Sequence, residues 1–363
     1  LKFNDDRYAT LDGMRGVAAL CVVALHVRML FSWHEFTHAY LAVDLFFAIS
    51  GFVLARTYEK RILAGELSAI EFMRLRAIRL YPLYLLGLVA GAIAAYTLWR
   101  YGMQPTNHPI LKIGGETLVA LLLLPAPFAH HLYPTNGPCW SLFAELLANA
   151  AYACFLPRLT NRILGVVIVM TWCAVLAIVM LGNFSNGYAW KGAYVGMVRV
   201  IFSFSIGVLI HRLAPTTRFR SNAGSLLIVA LALLTISINV PERFEHLYIL
   251  ASVTAIIPLI TWFAVHVEPA VAVRKVWIFT GAVSYGVYVL HEPIGALLEI
   301  VLSRDFHVSR SVMIFMSIPF LSGLIVLVAV LNRSYDTAFR RILLQYAVPH
   351  DRRHSSMNLP GAD

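Results

Sequence analysis

Ile113-Gly-Gly-Glu116-Thr-Leu-Val-Ala-Leu-Leu-Leu-Leu124-Pro125-Ala-Pro127 is one of eleven apolar runs in the chain, and its placement decides the architecture. The runs cover 16–32, 40–55, 80–99, 113–127, 141–157, 163–182, 193–211, 223–240, 247–266, 277–301 and 311–332. Most approach the ~20 residues that a helix needs to cross a bilayer. The run at 113–127 is shorter, ends in two prolines and leads into the breaker-rich Tyr133-Pro-Thr-Asn-Gly-Pro138. Charge agrees. With 113–127 held on the outer side, 21 of the 29 Lys and Arg gather on one face, the cytoplasmic one, with both termini. With all eleven crossing, basic loops would fall on both sides. The sequence therefore predicts an all-α polytopic membrane protein of about ten transmembrane helices. Within 100–140 it predicts a re-entrant or interfacial segment before span 4, its backbone covered by protein or water.

Composition supports this reading. Of 363 residues 59% are hydrophobic and only 13% charged, and the mean hydropathy is +0.73. A soluble chain carries about 25% charged residues. The net charge of +10 would suggest nucleic acid in a soluble protein, but here it follows from cytoplasmic Lys and Arg, so no nucleic-acid partner is expected. Cys21, Cys154 and Cys173 sit in apolar runs, Cys139 in a loop, and none has metal-ligand spacing, so no metal is expected. No small-residue cleavage site follows the first run, which reads as a retained signal anchor. The chain opens on Leu1, so the natural start is expected upstream. One membrane domain is expected over 1–350, with a polar cytoplasmic tail at 351–363.

Charges within spans each need a reason, since one near the bilayer centre costs at least ~2.5–3.5 kcal/mol. Arg15 and His26 are three helical turns apart, about 20° around the helix and roughly 16 Å along it. A cation below and a titratable base above suit an anionic donor reaching upward; a snorkelling Arg and a hydrogen-bonded core His are the structural alternative. Asp44 opens span 2 and either balances the helix dipole or orients His26. Glu145 lies one turn inside span 4, at an expected depth similar to His26, after the interfacial Trp140. Arg199 in span 6 needs a counter-ion, with Glu145 or a substrate group as candidates. Ser284, Tyr288 and His291 form one stripe in span 9, followed by Glu292 and Pro293. Arg74, Arg76 and Arg79 lead into Leu80-Tyr81-Pro82. Arg76 and Arg79, one turn apart, can present two guanidinium forks to a phosphate, or simply be positive-inside charge.

Taken together these strings resemble the acyltransferase-3 family of bacterial membrane acyltransferases. The matches run in family order: Leu11-Asp-Gly-Met-Arg15-Gly-Val-Ala-Ala19 to His26, Val43-Asp-Leu-Phe-Phe through Ser50-Gly-Phe52, Arg76-x-x-Arg79-Leu-Tyr-Pro82, Trp140-Ser-Leu-x-x-Glu145, and Ser284-Tyr-x-x-Tyr288-x-x-His291. The resemblance implies a ten-helix protein of the bacterial inner membrane. It also implies acyl-coenzyme A, most simply acetyl-coenzyme A, as a cytoplasmic co-substrate, and O-acylation of an acceptor on the outer side. Arg15 and His26 are then essential, and Arg76 and Arg79 form the donor-side basic pair.

The expected site follows. His26, Glu145, Asp44 and Arg15 are the catalytic candidates; Arg76, Arg79, Arg74 and Tyr81 bind the donor; His291, Tyr288, Ser284, Trp140 and Arg199 bind the acceptor or the thioester oxygen. His26 either deprotonates the acceptor hydroxyl or briefly carries the acyl group, with Glu145 or Asp44 setting its tautomer. The acceptor is open among polysaccharide, lipid-linked sugar, peptidoglycan and small metabolites, and oligomeric state is not legible. Two rivals stand beside this reading: a transporter or flippase of a lipid-linked glycan, and an enzyme with Cys139 as nucleophile.

Overall fold

The computed structural model describes residues 7–103, 108–214 and 217–347; the expected tail at 351–363 lies outside them. The chain is an all-α polytopic membrane protein. Nine stretches among the described residues are long and apolar enough to cross a membrane. They contain α1 (Ala9–His26), α2 (Ala42–Leu63), α3 (Ala69–Arg100), α5 (Cys139–Phe155), α6 (Asn161–Met180), α7 (Ala193–Leu213), α9 with α10 (Glu242–Ala251, Ile257–His266), α11 (Val271–Ile300), and α12 to α14 (Arg310–Met313, Ser317–Leu331, Thr337–Ala347). A tenth, α8 (Asn222–Ser237), has only 16 residues. It still spans the length of α1. Its first turn meets that of α1 through Thr10 and Ser225 hydroxyls at 2.9 Å, and its last carbonyls take bonds from His34 and His38, in the loop after α1.

The run at 113–127 does not cross. It contributes α4 (Pro109–Leu121), which lies along α3 and then turns back. Buried carbonyls at a helix C-terminus need donors, and tyrosines supply them. Tyr84 donates to Ala120 (2.6 Å), Tyr81 to Leu121 (3.2 Å) and Tyr133 to Leu123 (2.8 Å). Leu123 itself makes the turn at φ +59°, a conformation costly for a residue with a Cβ.

α1 and α11 run side by side and parallel, Asp12 beside Gly281 near one end and Val27 beside Gly295 near the other. Small residues allow that approach, as is usual between membrane helices. A parallel two-residue pair, β1 (Phe219–Arg220) and β2 (Val267–Glu268), ties the loops before α8 and after α10. There Glu268 accepts the Ala9 N–H at 3.1 Å, capping the helix that carries Arg15 and His26. α6 and α13 are mostly exposed, the expected condition of a lipid-facing rim.

Candidate active site

The parallel registration of α1 and α11 brings two imidazoles together. His26 Nδ1 stands 3.2 Å from His291 Nε2, with ring centroids 5.0 Å apart. The second nitrogen of His291 faces the carbonyls of Tyr288 (2.8 Å) and Val287 (3.1 Å). Carbonyls only accept, so Nδ1 of His291 carries the proton and its Nε2 offers a lone pair. His26 Nδ1 must then donate, to that lone pair and to Val22 O at 2.9 Å. In the neutral ring this leaves the lone pair on His26 Nε2. His26 is exposed while His291 is fully buried, so the unshared nitrogen belongs to the accessible ring. That is the form a base requires.

Pro293, two residues beyond His291, has no N–H to give the carbonyl four residues earlier, Val289. The outer loop fills the gap. Asn136 Nδ2 donates to Val289 O at 2.8 Å, both groups buried. Gly137 donates its N–H to Glu292. The loop can sit this deep because α3 offers glycines: Gly87 lies against Val289 O and Gly91 against Thr135 O, where a Cβ would collide. Glu292 acts electrostatically on His26, and its Oε2 is buried without a partner among the described residues.

A second cluster lies toward the N-terminal end of α1. Arg76 Nη2 donates to Glu145 Oε1 at 3.0 Å, and Ser50 donates to the same oxygen at 2.5 Å. Arg15 is 3.9 Å from Asp12, which Arg7 also holds at 2.7 Å. Arg15 and Arg79 feel Arg76, and Glu145 acts on Arg15. Glu145 therefore belongs with the arginines rather than beside His26. α5 begins beneath the inserted loop, and six residues of descent carry it about 9 Å farther.

Other sequence candidates are placed elsewhere. Asp44 and Arg199, both with fully buried side chains, bind each other: Arg199 Nη2 to Oδ2 at 2.5 Å and Nε to Oδ1 at 3.2 Å. Arg199 also donates to the Tyr40 and Phe184 carbonyls. Its counter-ion is thus Asp44, not Glu145 or a substrate, and Asp44 is committed away from His26. Trp140 packs on Gly187 and Gly196 beneath that guanidinium. Ser284 spends its hydroxyl on Gly281 O, and Tyr288 bonds Ser141 (2.6 Å) and Pro138 O (3.1 Å). Tyr81 points at α4, and Arg74 is exposed on the first turns of α3. Cys139 is buried.

Sequence reasoning gave no role to Glu292 or to the pair Asp336 and Arg340. Signals existed: a carboxylate directly after His291, and an acid and an arginine four residues apart after an apolar span.

Residues 8–332 match a family described as acyltransferase domain. "Protein 2 in picA locus" of Rhizobium radiobacter is 40% identical over 191 residues, 49% of this chain and 97% of that protein. "Exopolysaccharide production protein ExoZ" of Rhizobium meliloti (strain 1021) is 33% identical over 132 residues, 34% of this chain and 37% of ExoZ. No solved structure matches.

Proposed function

The chain belongs to the acyltransferase family matched across residues 8–332, and we propose that it moves an acetyl group from cytoplasmic acetyl-coenzyme A to a hydroxyl of an outer-side polysaccharide or related glycan, in a bacterial inner membrane. The likeness to a protein named for exopolysaccharide production supports the acceptor class. The observation that carries the reaction is the pair His26 and His291, whose hydrogen bonds leave His26 Nε2 unshared on the helix whose other end brings Arg15 to Arg76 and Arg79 of α3.

In this reading the donor phosphates rest on Arg76 and Arg79, with Arg15 beside them, by charge-assisted bonds. The pantetheine arm covers the roughly 16 Å of α1 between Arg15 and His26. His26 Nε2 takes the proton of the acceptor hydroxyl as its oxygen attacks the thioester carbonyl. The C–S bond breaks, and the imidazolium returns that proton to the coenzyme A thiolate. His291 is a positioning residue, fixing the tautomer.

The test is purified protein with radiolabelled acetyl-coenzyme A and candidate glycans, following label transfer and coenzyme A release. Transfer that survives His26→Ala in a folded protein would sink the mechanism. Glycan movement across vesicles with no acyl donor would favour a transporter. Full activity in Cys139→Ser is expected; its loss would revive the cysteine route.

A further inference from the structure

We propose that Arg340, in α14, the last helix among the described residues, and beyond the residues matched by the family, completes the phosphate site for the nucleotide end of the acyl donor. This rests on the donor reading above. α14 packs against α3, and a π-helical turn (Asn332–Asp336) precedes it. Such turns within helices are frequent at functional sites. Arg340 is paired with Asp336, and both act electrostatically on Arg79. Arg76 in turn acts on Arg340. Tyr285, whose hydroxyl bonds Leu80 O at 2.7 Å, lies beside the same groups.

Two features point to an absent anion. The first is unmet bonding capacity. Arg76 Nε and Arg340 Nε are both buried donors without a partner among the described residues, as is the acceptor Asp336 Oδ1 beside them. Orphaned donors of charged groups are expensive in a folded chain. The second is charge balance. Among the described residues Arg7, Arg15, Arg76, Arg79 and Arg340 face three carboxylates, Asp12, Glu145 and Asp336. Arg76 and Arg340 are the more buried members, and positive charge withdrawn from water calls for a compensating anion. Two unbalanced positive charges and two unused N–H groups fit a diphosphate.

The experiment is calorimetric binding of free coenzyme A, and separately of pantetheine, to the whole protein in phosphatidylcholine nanodiscs. Wild type, Arg340→Ala and the charge-keeping Arg340→Lys are compared. For Arg340→Ala the coenzyme A Kd should weaken about tenfold, the scale of one charge-assisted bond. Arg340→Lys should lose less, and pantetheine, without phosphates, should not discriminate among the three. An unchanged coenzyme A Kd overturns the proposal, as does equal weakening for pantetheine, which marks a structural role. So does a coenzyme A effect that vanishes when phosphatidylglycerol replaces phosphatidylcholine, the sign of a lipid phosphate site. If coenzyme A binds through Arg340 but no acyl group is ever transferred, this site stands and the enzymatic reading falls.

Discussion

His26 Nδ1 donates toward His291 Nε2 across 3.2 Å, and the second ring is itself oriented by two backbone carbonyls of its own helix. The chemistry of the first ring therefore depends on the second. His26→Ala should lower acyl transfer by roughly 10²–10⁴, the usual contribution of a general base. His291→Ala should lower kcat less, leave KM for the donor near its wild-type value, and displace the pH–rate profile. A His291→Ala profile that overlays wild type would deny it the positioning role.

The Asp44–Arg199 pair is expected to hold the fold rather than the reaction. Removing one partner strands a buried charge and should cost about 3–5 kcal/mol, read as a lower Tm in detergent. Replacing both, Asp44→Leu with Arg199→Met, should recover most of that stability and keep acyl transfer. A folded double variant without activity would return Asp44 to the catalytic list.

Asn136 and Pro293 should behave as one unit. Asn136→Ala leaves Val289 O bare and should cost about 1–3 kcal/mol. In a Pro293→Ala background the same change should be nearly silent, because an alanine N–H at 293 restores the helical bond to Val289 O. Equal losses in both backgrounds would show that the asparagine does something other than fill that gap.

Glu268 lies outside the spans among Ala9 N–H, Arg218 and Arg274, and burial pushes its carboxyl up to about 7 from 4.5. Between those values the folded chain keeps a proton that the unfolded chain has lost. The contribution of this group to stability is thus greatest at low pH and declines as pH rises through that window. Glu268→Gln should flatten the fall of Tm between about pH 5 and pH 7. An unaltered slope would assign that fall to other groups.

The crossings and the excursion at 113–127 were legible because length, breakers and the side bias of Lys and Arg are local properties of the chain. So was the placement of Arg15 and His26 toward opposite ends of one helix, whatever surrounds them. Partner choice was not. Asp44 and Arg199 are 155 residues apart, and only the packing of α2 on α7 joins them. Glu145 was placed too near His26 because depth was counted from Trp140, as though an aromatic after a loop always marked the membrane surface. Here Trp140 is buried under an inserted loop. Arg340 passed for ordinary cytoplasmic charge, since nothing in its neighbourhood of sequence reveals that it faces Arg79.

The plug at Asn136 has a consequence for exchange between relatives. The N–H that a proline on one helix lacks is made good by an amide on a distant loop, so neither can drift alone without leaving Val289 O bare two residues before His291. A chimera that imports residues 133–138 from another family member should work only when its residue at 293 travels with them.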